Sequence, residues 1–295
     1  MLHQSIYLYA RLVKEVFIPN NFEKMNTLNP LQTKLLEMFR WLTAFLESNN
    51  LRYYMIGGTF LGAVRHNGFI PWDDDIDIAM PRKDYEKLLK LFYTPIDKYV
   101  LESSANGNKD FVYNMAKLYD TTTSMTEEAR YKIKRGVYID IFPLDGLGNS
   151  IDSARSIYKK IDRLNVLLSM ISCGYRKERP WWKNMAVMIG RLIPIQPNSL
   201  ARKVNTLCMR IDFDKSRYVA NCMSTYRGRE IMDKTLLGAP TDYQFEDIIA
   251  KGPEKANEYL THIFHDWKKL PPLENQHSAH DFVELDLNHS YLEKL

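Results

Sequence analysis

Residues 53–78 read YYMIGGTFLGAVRHNGFIPWDDDIDI. The apolar run Tyr53 to Ile56 suits a short buried strand, Gly57-Gly58 closes it, and Thr59 to His66 reads as a helix. Beyond Gly68, Ile76 to Met80 alternates like a second strand. That order predicts a mixed sheet with a polar site where the glycine turn meets the acidic strand. Asp73, Asp74, Asp75 and Asp77 place four carboxylates within five positions, and such crowding is unfavourable unless a cation offsets it. In an extended chain residues two apart share a face, so Asp73, Asp75 and Asp77 should converge while Asp74, Ile76 and Ile78 point away. Hard oxygen donors in a tight cluster suit Mg²⁺ or Mn²⁺. A solvated acidic turn is the plain alternative.

Two neighbouring features strengthen the metal reading. Gly57, Gly58 and Thr59 stand between strand and helix, where free N–H groups and the helix dipole favour a phosphate. Arg65, on the helix that follows, has the planar fork suited to clamping one. Further on, Val137, Ile139 and Ile141 share one face of a predicted strand, which Asp140 interrupts with a carboxylate. Burial of that group requires a metal, a cation or a reacting hydroxyl beside it. Asp145, just before Gly146, is expected to serve a turn. Lys117 and Arg135, near apolar strand ends, are candidates to reach phosphates, although surface placement is the commoner fate of such residues.

Working outward, Leu35, Leu36, Phe39, Leu42, Phe45 and Leu46 recur at helical spacing behind Asn29-Pro30. Asp84 to Phe92 predicts another helix, and Tyr99 to Glu102, Phe111 to Leu118 and Val137 to Phe142 predict strands. The fold class is α/β of the α+β kind: a mixed sheet flanked by helices, with a helical insertion or second lobe. The expected division is an N-terminal extension over 1–30, a catalytic core over 31–147, a mainly helical lobe over 148–235 and a C-terminal segment over 236–295 packing on the core. Pro271-Pro272 is expected to open a polar tail.

Composition bounds the rest. The chain has 295 residues, 45% hydrophobic and 26% charged, with 40 Lys+Arg against 36 Asp+Glu for a formal +4, which is ordinary globular usage. Wholesale disorder is a poor reading. So is nucleic-acid binding, because the basic residues form no stripe and the acidic cluster repels phosphate unless masked. Cys173, Cys208 and Cys222 make no CxxC pair, which favours a reducing, cytoplasmic setting. No leader peptide or eighteen-residue apolar span is read from the sequence.

Three stretches together resemble the LicD family: residues 57–66 (GGTFLGAVRH), 69–78 (FIPWDDDIDI) and 139–146 (IDIFPLDG). The likeness is strongest over 53–85, good over 136–146 and looser near Phe245, Tyr259-Leu260 and Lys268 to Pro272. The family is phosphocholine-transferase-like, belongs to the nucleotidyltransferase-fold superfamily and has fukutin-type proteins as relatives. The gap from Gly58 to Asp75 is longer than that superfamily's general glycine-to-carboxylate spacing. The resemblance implies a nucleotidyltransferase-like core and a CDP-choline or related CDP-alcohol donor. It also implies transfer of the phospho-alcohol to a sugar hydroxyl of a lipid-linked cell-surface glycan, as in lipopolysaccharide, teichoic-acid or capsule biosynthesis. On that reading Asp75, Asp77 and Asp140 are catalytic. Asp73, Asp75, Asp77 and Asp140 hold Mg²⁺ or Mn²⁺, and Gly57, Gly58, Thr59, Arg65 and Lys117 contact the donor. Transfer of a nucleoside monophosphate, and a noncatalytic nucleotide- or glycan-binding role, are the competing readings.

Two further features stay open. His262, His265, His277 and His280 invite a zinc site, but no cysteine accompanies them. Arg176 to Lys183, with paired Trp181 and Trp182, precedes the apolar run Met185 to Ile195 and suits peripheral contact with the inner membrane surface. Packing of that lobe on the core is preferred, since Trp is ordinarily core-forming.

Overall fold

The computed structural model describes residues 28–105, 110–128, 132–175, 179–278 and 282–293. The expected N-terminal extension lies almost wholly outside them. Helix α1 (Pro30–Ser48) opens on a capping box in which Asn29 and Gln32 satisfy each other's backbone N–H groups, with Pro30 in the first turn. Its apolar stripe, including Leu35, Met38, Phe39, Leu42 and Leu46, is buried.

Strand β1 (Tyr54–Met55) leads directly into α2 (Gly57–His66). Next come β2 (Asp77–Pro81), α3 (Arg82–Leu91), β3 (Tyr99–Ser103), β4 (Ala116–Asp120), the hairpin β5 (Ser124–Glu128) and β6 (Lys132–Arg135), and the long β7 (Tyr138–Gly148). Helices α4 (Ile151–Ser172), α5 (Trp181–Arg191) and α6 (Pro197–Cys208) build the helical part. They are followed by β8 (Tyr218–Asn221), β9 (Met232–Asp233), the hairpin β10 (Thr241–Phe245) and β11 (Ile248–Gly252), α7 (Ala256–Phe264) and β12 (Phe282–Asp286).

The main sheet runs β1-β2-β7-β4-β3. Strand β2 lies parallel to the first half of β7, while β8 pairs antiparallel with its second half and carries β9. Ile78, Leu118, Ile139 and Ile141 are wholly buried. Alternation turns the neighbouring Asp77, Lys117 and Asp140 to the other face.

The expected α/β architecture is therefore present, with three local differences. The acidic run lies outside the strand: Asp73 N–H donates to the Ile70 carbonyl at 2.9 Å, closing a turn just before it, and the strand starts only at Asp77. The polar tail contains β12, which adds antiparallel to β5. The strand expected over Phe111 to Leu118 starts only at Ala116, while β8 and β9 return from the helical part to the main sheet.

Asp145 does not serve a turn. It sits inside β7, fully buried, and its two carboxylate oxygens accept from Arg82 Nε and Nη2 at 2.7 and 2.8 Å. Arg82 Nη1 reaches on to Asn205 of α6 at 3.0 Å. The pair thus ties the start of α3, the middle of β7 and the helical part together. Removing one member of such a pair strands the other charge in the interior. We predict that Asp145→Ala lowers unfolding free energy by about 3–5 kcal/mol in urea titrations. A loss below about 1 kcal/mol would show that the charge escapes to water.

Candidate active site at the glycine turn

Gly57 takes φ of +55°, a conformation open to glycine without steric cost. A Cβ at Gly57 would lie 3.4 Å from Asp77 Oδ2, and one at Gly58 would lie 2.7 Å from Asp73 Oδ2. The two glycines therefore let the backbone press against the acidic residues. Asp73, Asp74 and Asp75 are partly buried, and each offers an oxygen within 4.8 Å of the others. Asp74 joins this group instead of pointing away, in the stretch between the turn and β2; its carboxylate also accepts from the Ser278 hydroxyl.

Backbone pins hold the loop. Gln32 Nε2 donates to the Asp73 carbonyl at 2.9 Å, so the residue that caps α1 also fixes the acidic turn. Thr59 Oγ1 accepts from Asp77 N–H at 2.8 Å, which ties the first turn of α2 to the first residue of β2.

Strand register supplies the other half of the site. Asp77 lies opposite Asp140, Asp140 opposite Lys117, and Lys117 opposite Glu102. Neighbours in this row share a face and approach closely. Lys117 is buried, 3.6 Å from Asp140 Oδ1 and 3.1 Å from Glu127 Oε1, and its ammonium sits over the rings of Tyr138 and Tyr113. Burial alone would lower the Lys117 ammonium, but the charges of Asp140 and Glu127 outweigh it and raise it well above its usual value. Burial first, then the charges of Asp75, Asp140 and Asp73, pushes the Asp77 carboxyl well above the carboxylate range. The donor set, all carboxylate oxygen and electrostatically crowded, fits a hard divalent cation.

The chain also brings in groups that sequence reasoning missed. Tyr226 is raised by burial and then by Asp77, Glu230, Asp73 and Asp75, so its hydroxyl belongs to the same neighbourhood. The buried Tyr259 phenol is raised mainly by burial, with the Gly57 backbone acting to lower it, so it lies beside the first residue of the turn. Glu230 is buried behind these tyrosines, beside Ser224 and Arg229. Tyr226 and Glu230 lie in a stretch with no motif, and Tyr259 lies where the family likeness is loose.

Other expected contacts have different surroundings. The buried Arg65 guanidinium donates to the Trp267 carbonyl at 2.8 Å, anchoring the segment after α7. Arg135 is paired with Glu102 and Asp110. His262 faces the Ile231 carbonyl at 3.1 Å, His277 faces the Ser278 carbonyl at 2.9 Å, and His280 lies outside the described residues. Among the described residues, no histidine belongs to a trio of metal-ligating side chains. In the trio of Asp145, Cys208 and Cys222 both carboxylate oxygens are already taken by Arg82. His262 and His265 instead border a cleft of about 630 Å³ lined also by Arg155, Lys159, Arg227 and Arg229.

A sequence profile of the LicD/FKTN/FKRP nucleotidyltransferase domain matches residues 50–161, the stretch that carries α2, the acidic turn, Lys117 and Asp140. The stretch that builds the site is thus similar to the LicD family. It is 28% identical over 264 residues to the lipopolysaccharide cholinephosphotransferase LicD of Haemophilus influenzae, covering 87% of this chain and 97% of that one. Human ribitol 5-phosphate transferase FKRP is 42% identical over 50 residues, 17% of this chain and 10% of that protein. Mannosyltransferase regulator 14 of Saccharomyces cerevisiae is 28% identical over 141 residues, 46% and 14% of the respective chains. The match of the LicD-family domain ends before Tyr226, Glu230 and Tyr259, so those groups are supplied by the part of the chain beyond it.

Glu230 gives this neighbourhood a measurable signature. Burial raises its carboxyl from 4.5 to about 7, against smaller lowering by Ser224 and Arg229. A raised carboxyl favours the folded state when protonated, so its stabilisation is full below the unfolded value and lost as pH rises through about 7. We predict that stability falls between pH 5 and pH 8 by on the order of 3 kcal/mol more in the parent than in Glu230→Gln. Equal pH slopes in urea titrations would contradict this.

Proposed function

We propose that the protein is a phosphotransferase that moves phosphocholine, or a similar phospho-alcohol, from a CDP-activated donor to a sugar hydroxyl of a cell-surface glycan. The observation that carries this reading is the meeting of four acidic residues at the glycine turn of a LicD-like stretch, with Asp140 and its buried lysine one strand away. The names of two relatives support it: one is a cholinephosphotransferase and another a ribitol 5-phosphate transferase.

Asp73, Asp75 and Asp77 are the residues that would hold a divalent cation, which when bound would neutralise charge on a diphosphate and its departing CMP; Asp140 would bind a second ion or take the acceptor's proton, and the proton role is the one the Lys117 contact favours. Asp140 is the base in this reading. The acceptor hydroxyl oxygen forms a bond to the donor's distal phosphorus as the P–O bond to CMP breaks. CMP keeps the electron pair, and the hydroxyl proton passes to Asp140.

Lys117 opposes the charge of Asp140 and keeps it aimed, a positioning role in place of the donor contact that the family likeness implies for it. Gly57 and Gly58 provide the close approach, Thr59 fixes the start of β2, and Arg65 steadies the segment that follows α7. Arg229, 5.5 Å over the Tyr226 ring, joins the basic cleft to the acidic site, which supports seating of the anionic nucleotide there. A cytoplasmic setting belongs to this reading and is supported by three free cysteines.

With CDP-choline and Mg²⁺ or Mn²⁺, CMP release is expected to stop in EDTA and to return on adding metal. Asp75→Ala and Asp77→Ala should each lose at least about 10²-fold in turnover, the scale of a lost transition-state charge interaction. Radioactive phosphorus in the choline-linked phosphate should appear in the acceptor. Its release as free phosphocholine would favour nucleotidyl transfer, and unchanged turnover in both variants would overturn the site.

A further inference from the structure

Helix α5 is packed inside out. Its inward stripe is Asn184, Val187 and Gly190, buried against α4, where a Cβ at Gly190 would lie 2.8 Å from the Met170 carbonyl oxygen. Its outward side carries Trp181, Trp182, Met185, Met188, Ile189 and, one residue past its end, Leu192, each between 46% and 82% exposed. Positions 181, 185, 188 and 192 fall on one stripe, flanked by 182 and 189. Isolated exposed apolar residues are ordinary, but five on a single short helix and a sixth at its end make a patch.

Charge identifies what covers it. From Arg179 to Ile211 there are six Lys and Arg residues, at 179, 183, 191, 202, 203 and 210, and no Asp or Glu. The whole chain has a formal +4, so the remainder carries a slight negative excess. The basic charge is thus concentrated on the segment that bears the apolar ridge. Tryptophans, a convex apolar stripe and basic flanks suit an anionic bilayer surface, with the stripe sunk to the headgroup and acyl boundary and the cations among the headgroups. None of the described helices is long and apolar enough to cross a membrane, so the contact is with one surface.

We propose that α5 is a membrane-surface anchor for an anionic phospholipid bilayer. The sequence preference for core packing of Trp181 and Trp182 is set aside by their exposure, while Val187 and Gly190 make the inward contact. This proposal goes beyond the phosphotransfer reading and does not rest on it.

Flotation of the full chain with vesicles tests it. Binding to phosphatidylcholine vesicles containing 30% phosphatidylglycerol is expected to exceed binding to phosphatidylcholine alone by at least about 10-fold. Trp181→Ser/Leu192→Ser should abolish flotation, and Lys183→Gln/Arg191→Gln should remove the phosphatidylglycerol dependence. All three proteins should keep the same circular dichroism and the same sedimentation coefficient. Absence of flotation overturns the proposal, and so does vesicle binding unchanged in the Ser variant. A dimer that the Ser substitutions dissociate, without vesicle binding, would assign the face to a second copy. CMP release from soluble substrate reads the active site separately, so failure of the anchor and failure of the phosphotransfer reading are distinguishable.

Discussion

Mutual repulsion among the carboxylates of Asp73, Asp75, Asp77 and Asp140 is the constraint around which the core is organised. Unit charges a few ångströms apart in a partly enclosed site interact by several kcal/mol (about 4 at an effective dielectric of 20), so a loose scaffold would let them separate. Several restraints prevent that here. Gln32 holds the Asp73 carbonyl, Thr59 holds the Asp77 amide, and the β2–β7 register sets Asp77 beside Asp140. None of these restraints removes charge; they fix position. Lys117 is the interior cation that faces the cluster, and Glu127 shares it. The raised Asp77 carboxyl is the sign that the compensation is incomplete within the protein alone.

The same strand links the site to the rest of the molecule. Strand β7 begins with Tyr138 against the Lys117 ammonium, carries Asp140 into the site and then buries Asp145 against Arg82. Ile139 and Ile141 face the hydrophobic layer on its other side. Two acidic residues five positions apart therefore have opposite fates. Asp145 is fully neutralised by a bidentate guanidinium and holds helices to the sheet, whereas Asp140 shares one lysine with Glu127 at the edge of an acidic cluster. A buried carboxylate with a complete fork of donors is committed to structure; one with a shared, longer contact retains chemistry.

Much of this was legible in the sequence because it is local. The stripe Leu35 to Leu46, the strand–glycine–helix order and the alternation around Asp140 each follow from side-chain periodicity, and the structure has all of them. The face assigned to Asp74 was not, since the stretch from the Ile70–Asp73 turn to Asp77 is not part of the strand whose alternation was extrapolated through it. Tyr226, Glu230 and Tyr259 were illegible for another reason. They reach the glycine turn through long-range packing, and no periodicity of their own segments encodes that meeting. Asp145 followed the usual turn habit of an Asp-Gly pair until a partner 63 residues away placed it inside a strand.

Helix α5 shows a further limit of pattern reading. Periodicity reveals that a helix has an apolar stripe, but not which side of the stripe faces protein. Here the inward contact is made by small and polar groups, and Gly190 permits close approach to the Met170 carbonyl. The lobe does not need the Trp and Met side to hold together. Leu168, Ile171, Leu200 and Ala201 form their own cluster between α4 and α6, and Tyr158, Ile161, Val204 and Cys208 form another next to β7. With packing satisfied on the inside, an outward apolar ridge contributes nothing to the fold and carries a solubility cost. A ridge of that kind, on a segment with basic and no acidic residues, is explained by a surface that the folded protein meets after it has formed.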